Sequence, residues 1–320
     1  MIGMLDTSKI RKTPDCALYL SHHYCDYIEL LALISDEDGI SQDDVFDKFH
    51  ESGDITDTGT EGAAQENDKW LSRINDFFSE IAVRESIYGN AYPFQILGNR
   101  ILKRSQVSDQ QLCYITLLLC SSLRYTTNRS IFTGAFEYIS FLVTSSYLPA
   151  GAQTHIFGVS SGQNTRYTGS LENKITLLAN DLGENLKLRP NSFNQGNNGD
   201  GGADIVAWLP YQRDINKGRK LVLLGQSASG NNWETKQASV ARLENFIDFS
   251  SPPVNVLFVP YDFRDVNRNF VSNSHITAGV VFDRFRIMEL IDPQTFFGGN
   301  AHSNLKNEVL NLFNYVEDIV

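Results

Sequence analysis

Residues 196–236 read GNNGDGGADIVAWLPYQRDINKGRKLVLLGQSASGNNWETK, and the reading of this stretch decides what kind of sheet the chain builds. The apolar runs 205–209 and 221–224 have the length of buried strands and are bounded by Gly, Asn and Pro, which predicts two strands joined through the polar connection 211–218. Asp204 stands at the mouth of the first strand and Gln226 at the exit of the second. A carboxylate opening a buried strand, behind a run of glycines and asparagines, suits a hard cation, because Mg²⁺ takes one or two carboxylates together with phosphate oxygens and waters. The alternative is that Asp200 and Asp204 shape a Gly-rich turn through local hydrogen bonds. A Ca²⁺ loop of the EF-hand type fits poorly, since 197–204 lacks the spaced bidentate glutamate.

Outward from this stretch, the pattern predicts a helix over 233–248, strands over 254–261 and 276–283, a short helix RFRIMELI at 284–291 and a last one over 304–315. In the other direction, Ser170 to Asn173 open a helix that Gly183 can close, followed by a short strand at 186–188. Pro149 and Gly151, then the polar run SSGQNTRYTGS at 160–170, interrupt the pattern and mark a domain boundary, giving domains 1–150 and 151–320. The N-terminal domain reads as mostly helical, with apolar spacing of three and four over 17–34 and 70–87, and helices apolar nearly all round at 110–123 and 134–146. Between the first two, the acid-rich 51–68 carries almost no apolar residue and reads as a loop. The whole succession predicts an α/β fold with a mixed sheet flanked by helices, preceded by a mostly helical domain.

No run approaches the roughly 18 apolar residues of a membrane span, and the first 15 residues lack the apolar core of a signal peptide, so a cytoplasmic protein is expected. Four scattered cysteines are too few for a disulfide scaffold, and His22, His23 and Cys25 lack the spacing of a zinc site. Of the net charge of −11, residues 1–150 carry −9, with 12 Lys and Arg against 21 Asp and Glu. A free-standing non-specific DNA binder is basic, so this charge argues for a protein partner, or self-association, through the N-terminal half.

Glu172 on a helix, DLGENLKLRP at 181–190, GNNGDGGADIVAW at 196–208 and a buried strand ending in Gln226 together resemble the PD-(D/E)xK nuclease superfamily. The likeness is to the methyl-directed restriction endonucleases, whose motif reads GDGGxD followed by a (D/E/Q)xK strand. The segment GQSASGNNWETK is further similar to a set of bacterial defence-associated proteins of that superfamily. The resemblance covers about 162–290 and implies a restriction-endonuclease-like domain that cleaves DNA with Mg²⁺ or Mn²⁺, as the effector of an anti-phage system acting with a protein partner. It makes Asp204 the metal-binding aspartate, Gln226 the (D/E/Q) position, the Ser227 carbonyl a further ligand, and Glu172 the upstream helical glutamate that completes the metal shell. Glu172 reads equally as the acidic first turn of a helix.

Such chemistry requires a metal-activated water and neutralised charge on the phosphate, with a lysine to hold the water and add positive charge. The chain departs from the pattern at that lysine: two residues after Gln226 stands Ala228, and the nearest candidate is Lys236 on the following helix. If Lys236 does not reach the site, the alternative is an inactive nuclease-fold module that docks or regulates a larger assembly. Arg284 and Arg286 either contact phosphate or pair with Asp283 and Glu289.

Overall fold

The computed structural model describes residues 4–36, 38–55, 61–159, 162–163, 166–187, 199, 201–211, 213, 215, 217–230, 232–265, 267–271, 273–299 and 302–317. Along the chain run helices α1 (Thr7–Ile10) and α2 (Ser21–Ile34), strand β1 (Ile40–Ser41), helices α3 (Gln42–Glu51) and α4 (Glu61–Tyr88), the hairpin β2 (Phe94–Leu97) and β3 (Arg100–Lys103), and helices α5 (Asp109–Ser121) and α6 (Arg129–Tyr147). There follow β4 (Gln153–Ile156), α7 (Leu171–Leu182), β5 (Asn185–Leu186), β6 (Ile205–Trp208), β7 (Val222–Ser227), α8 (Trp233–Lys236) and β8 (Ile247–Asp248). The chain ends with β9 (Val254–Phe258), β10 (Val280–Phe282), α9 (Arg284–Leu290), α10 (Pro293–Gly298) and α11 (Ser303–Phe313). No helix among the described residues is long and apolar enough to cross a membrane.

Two compact units result, and they differ from a division at 150. One comprises Met1–Arg129, Tyr261–Asn273 and Pro293–Val320, the other Ser130–Pro260 and Ser274–Asp292. Helix α6 therefore joins the strands that follow it: its buried Ser140 accepts from Ser227, and the half-exposed ring of Tyr147 meets that of Phe282. The C-terminal helices return to the first unit, where Lys306 of α11 pairs with Asp109 of α5 at 2.7 Å.

The first unit surrounds α2 and α5, apolar on most sides and buried along most of their length, as central helices should be. It is not wholly helical, since β1, β3 and β2 form a small antiparallel sheet. Its core holds a polar cluster: Arg84 of α4 reaches Asp26 at 2.7 Å and Glu29 at 2.9 Å, Tyr92 and Tyr114 donate to Glu29, and Ser121 donates to Asp26. Desolvation alone would pull Arg84 down, but Glu29 and then Asp26 outweigh it and hold the guanidinium well above its ordinary range. Burial raises the thiols of Cys25 and Cys16, the latter to about 11, and no group of three metal-ligating side chains occurs among the described residues.

In the second unit, five strands lie in the order β10-β9-β7-β6-β4. β4, β6 and β7 form an antiparallel meander, and β9 and β10 add in parallel to β7, which makes the sheet mixed. Leu171, Ile175 and Leu178 of α7 pack on Val206, Trp208, Val222 and Leu224 of the hairpin. Each side chain that alternates to this face leaves water, at about 25 cal/mol per Å² of apolar area. Ser170 caps α7 by accepting from the Asn173 N–H, and Gly183 ends it at φ 68°, a left-handed conformation that glycine adopts without steric cost.

Several sequence expectations are corrected. The acid-rich 51–68 is not loop throughout: α4 begins at Glu61, and the run Ala63 to Glu66 consists of good helix formers. The helix expected over 233–248 is broken into α8, a 3₁₀ stretch Ser239–Asn245 and strand β8. The buried amide of Gln237 accepts from the Thr277 and Ala278 N–H groups and donates to the His275 carbonyl, and that tertiary anchoring replaces a continuous helix. The strands at 254–261 and 276–283 shorten to β9 and β10, and Leu188 lies outside the described residues.

Three histidines set a pH dependence. Burial lowers His23, His155 and His302 below their ordinary 6.5, so the folded chain binds fewer protons than the unfolded chain just below that pH. Their contribution is complete above about 6.5 and is lost as pH falls toward the depressed folded values. The urea midpoint is expected to fall between pH 7.5 and 6.0; a midpoint that rises over this interval contradicts the burial of these rings.

Candidate active site

The hairpin register brings the two motif residues together. Ile205 pairs with Gly225, so one step outward along each strand sets Asp204 beside Gln226. Asp204 is 7% exposed, and its Oδ2 accepts from Gln226 Nε2 at 2.5 Å and from the Ser227 N–H at 2.7 Å. Its backbone is fixed as firmly, with its N–H donated to the Gly225 carbonyl and its own carbonyl accepting from the Phe157 and Gly158 N–H groups. A buried carboxylate held by this many donors is a positioned group rather than a turn decoration.

A second buried carboxylate comes from a helix that reads as apolar, and it packs on the segment that the Asp204 carbonyl fixes. Glu137 of α6 is 1% exposed, and its Cδ, Oε1 and Oε2 each lie 2.8 Å from where a Cβ on Gly158 would stand. Gly158 is the residue whose N–H binds the Asp204 carbonyl, at 2.9 Å. The Glu137 carboxylate and the Asp204 backbone carbonyl thus both contact Gly158, and only the missing side chain of this residue admits the glutamate. One turn further along α6, Ser140 accepts from Ser227 Oγ at 2.9 Å and ties the helix to the exit of β7. The signal was present in the sequence, since Glu137 is the one ionised residue within the apolar run 132–147, but a lone acid in a helix has no local partner to announce its purpose.

Of the other expected residues, Ser227 alone has a hydrogen bond to Asp204 among the described residues. Glu172 occupies the exposed first turn of α7 and makes no hydrogen bond or ion pair among the described residues, in keeping with its reading as a helix-start charge. Lys236 ends the four-residue α8, half-buried, and likewise makes no hydrogen bond or ion pair there. Ser227 contributes its N–H to Asp204 and its hydroxyl to Ser140. Asp200 lies outside the described residues. Lys174, which sequence reading passed over, is buried on α7 and donates to the Gly199 carbonyl at 3.1 Å, anchoring the Gly-rich segment ahead of Asp204. Arg284 is fully buried and donates to the Pro260 carbonyl, while Arg286 donates to that of Val281.

Gly158→Ala tests the geometry directly. The added methyl group would sit within 3 Å of the Glu137 carboxylate, so this side chain must shift while the backbone, which has no strained φ here, keeps its conformation. Any activity that depends on the Glu137 and Asp204 pair is expected to drop by about 10-fold or more, the scale on which small misplacements act. A circular dichroism spectrum like that of the wild type would show the fold intact.

No protein-family model matches this chain, and comparison with curated proteins and with solved structures finds no match either.

Proposed function

We propose that the chain is a metal-dependent nuclease that hydrolyses phosphodiester bonds of DNA, with Glu137 and Asp204 as its acidic residues. One observation carries this reading: the buried Asp204 carboxylate at the start of a strand is held by the Gln226 amide, and a second buried carboxylate, Glu137, packs on Gly158, the residue whose N–H the Asp204 backbone carbonyl accepts. Two buried acids held on segments that share one hydrogen-bonded contact are a donor set that a cation can use.

The donor set suits a hard ion. Two carboxylates and an amide, whose oxygen and nitrogen can exchange places by a flip, are the ligand types of Mg²⁺ or Mn²⁺ rather than of Zn²⁺. When bound, such an ion supplies an acidified water and neutralises charge on the phosphate. The residues of the chain do the rest. The Ser227 N–H and the Gln226 amide fix the orientation of Asp204, the contact with Gly158 fixes Glu137, and burial of both strengthens every charge interaction at the site. Lys236, on the helix after β7, is the residue proposed to supply the positive charge that the family places two positions after Gln226. Ala228 occupies that place and is wholly buried, an observation that favours the second reading of an inactive docking or regulatory module.

Glu172 is left out of this metal shell. Asp204→Ala is expected to remove Mg²⁺- or Mn²⁺-dependent cleavage of single- and double-stranded DNA, and Glu172→Ala to leave it within about twofold, the size expected for an exposed helix-start charge. Equal loss in both variants would return Glu172 to the site; a wild type inactive on all substrates, with a protein partner supplied, would favour the docking module. The −9 carried by residues 1–150 supports action alongside such a partner, or as a self-associated form, in a defence role.

A further inference from the structure

A cleft of about 270 Å³ in the second unit is lined by Tyr138 and Phe141 of α6, Thr154 and His155 of β4, and Gln163 and Arg166 beyond it. Both of its walls adjoin Glu137. Tyr138 follows Glu137 directly, and β4 continues through Phe157 into Gly158, against which Glu137 packs. Successive helix residues are turned by about 100°, so Glu137 and Ser140 face Gly158 and Ser227 while Tyr138 and Phe141 face the neighbouring cleft.

The chemistry of these walls is specific. The two rings lie nearly parallel, 21° apart with centroids at 5.9 Å, and present a flat aromatic surface. Arg166 is bound by the carboxylate of Asp181 through both Nε and an NH₂ group, which offsets its charge. Burial, with Arg166 adding to it, lowers His155 and keeps its imidazole neutral. Among the described residues β4 is the outer strand of its sheet and pairs with β6 alone, leaving backbone donors and acceptors along its other edge outside the ladder. Such a cleft is poorly suited to a phosphate and well suited to a neutral flat ring with a hydrogen-bonding edge. Its volume falls below the roughly 300–1,000 Å³ of sites for drug-sized ligands, which is the scale of one ring system.

We infer that the cleft receives a single unstacked nucleobase of the substrate strand, so that the preferred substrate is single-stranded or locally unpaired nucleic acid. The inference rests on the nuclease reading of the adjoining carboxylates. Bases within a duplex are stacked and cannot enter such a site without being extruded, whereas a single strand presents them and aromatic side chains accept them in any sequence.

The test is binding in EDTA, followed by fluorescence anisotropy, of a labelled single-stranded 12-mer, its duplex, and a strand of equal length with abasic sites throughout. The wild type is expected to bind the single strand at least about 10-fold more tightly than either of the others. Stacking of one base, at roughly 1–3 kcal/mol, corresponds to about 5- to 150-fold in affinity. Tyr138→Leu combined with Phe141→Leu keeps apolar volume but removes the rings, and is expected to lose about 10-fold for the single strand with no change for the abasic strand. Phe141→Trp, which keeps a flat ring, should retain binding. Equal binding of duplex and single strand, or an unaltered single-strand affinity in a double leucine variant with a wild-type circular dichroism spectrum, overturns the inference. Because no cleavage is needed, ring-dependent binding without Mg²⁺-dependent cleavage would sustain the base site and count against the nuclease reading alone.

Discussion

Glu137→Gln is expected to abolish metal-dependent cleavage, by about 10³-fold or more, while leaving the chain folded. Glutamine has nearly the shape of glutamate and can still lie against Gly158, so the packing of α6 is preserved. What changes is charge: one of the two carboxylates that would bind the cation is removed, and the loss of a single well-placed electrostatic group in a buried site costs on the order of 10²–10³ in rate. A metal ligand lost outright should exceed that figure, since occupancy of the site falls as well. Cleavage by the variant should recover in part at higher Mn²⁺, because weaker binding is offset by mass action. The decisive comparison is with Glu172→Gln, which alters the glutamate that the family resemblance singles out. Were Glu172→Gln the inactive variant and Glu137→Gln the active one, the buried pair at Gly158 would have no catalytic part, and α6 would be a packing helix that happens to carry an acid.

The second large effect belongs to stability. Arg84→Met is expected to destabilise the protein by roughly 3–5 kcal/mol, the usual cost of removing one partner from a buried ionic cluster. Asp26 and Glu29 are almost wholly buried, and Arg84 lies within 2.9 Å of both. Without the guanidinium, the hydroxyls of Tyr92, Tyr114 and Ser121 still donate to the carboxylates, but the positive charge that balanced them is gone. The same exchange at Arg104, whose contact with Glu85 is 3.6 Å and about one-third exposed, should cost less than about 1 kcal/mol. Denaturation by urea, followed by far-ultraviolet circular dichroism, separates the two variants. A loss at Arg84 no larger than at Arg104 would mean that water reaches the cluster and that its charges are solvated in the folded state.

Much of the second unit was legible without coordinates. The hairpin around residues 205–226 follows from two short apolar runs flanked by turn formers, and helix α7 from its Ser170 cap and closing Gly183, because strand pleat, helix period and cap chemistry are local and leave a pattern in adjacent residues. Asp204 and Gln226 could be paired on the same basis, since a hairpin register is set by its own two strands. The α/β class and the absence of any run long enough to span a membrane were likewise fixed by composition and order.

What the sequence could not supply is whatever depends on residues distant along the chain. β4 is four residues of mixed polarity that become a strand only because β6 offers a ladder to pair with. The tract beginning at Glu61 has too little apolar content to predict order, yet it extends a helix whose later turns are buried at Trp70, Ile74 and Phe77. The compact unit that holds the five-stranded sheet begins at Ser130 rather than 151 because α6 is tied to a strand that comes after it, through Ser140 and Ser227. Glu137 shows the same limit most clearly. A carboxylate on an apolar helix is ambiguous in one dimension, and its place is set only when a glycine 21 residues later, bonded to the backbone of an aspartate 67 residues later, leaves room for it. Local preference fixes the elements and one carboxylate; long-range burial, which is blind to sequence distance, decides which segment Glu137 packs on.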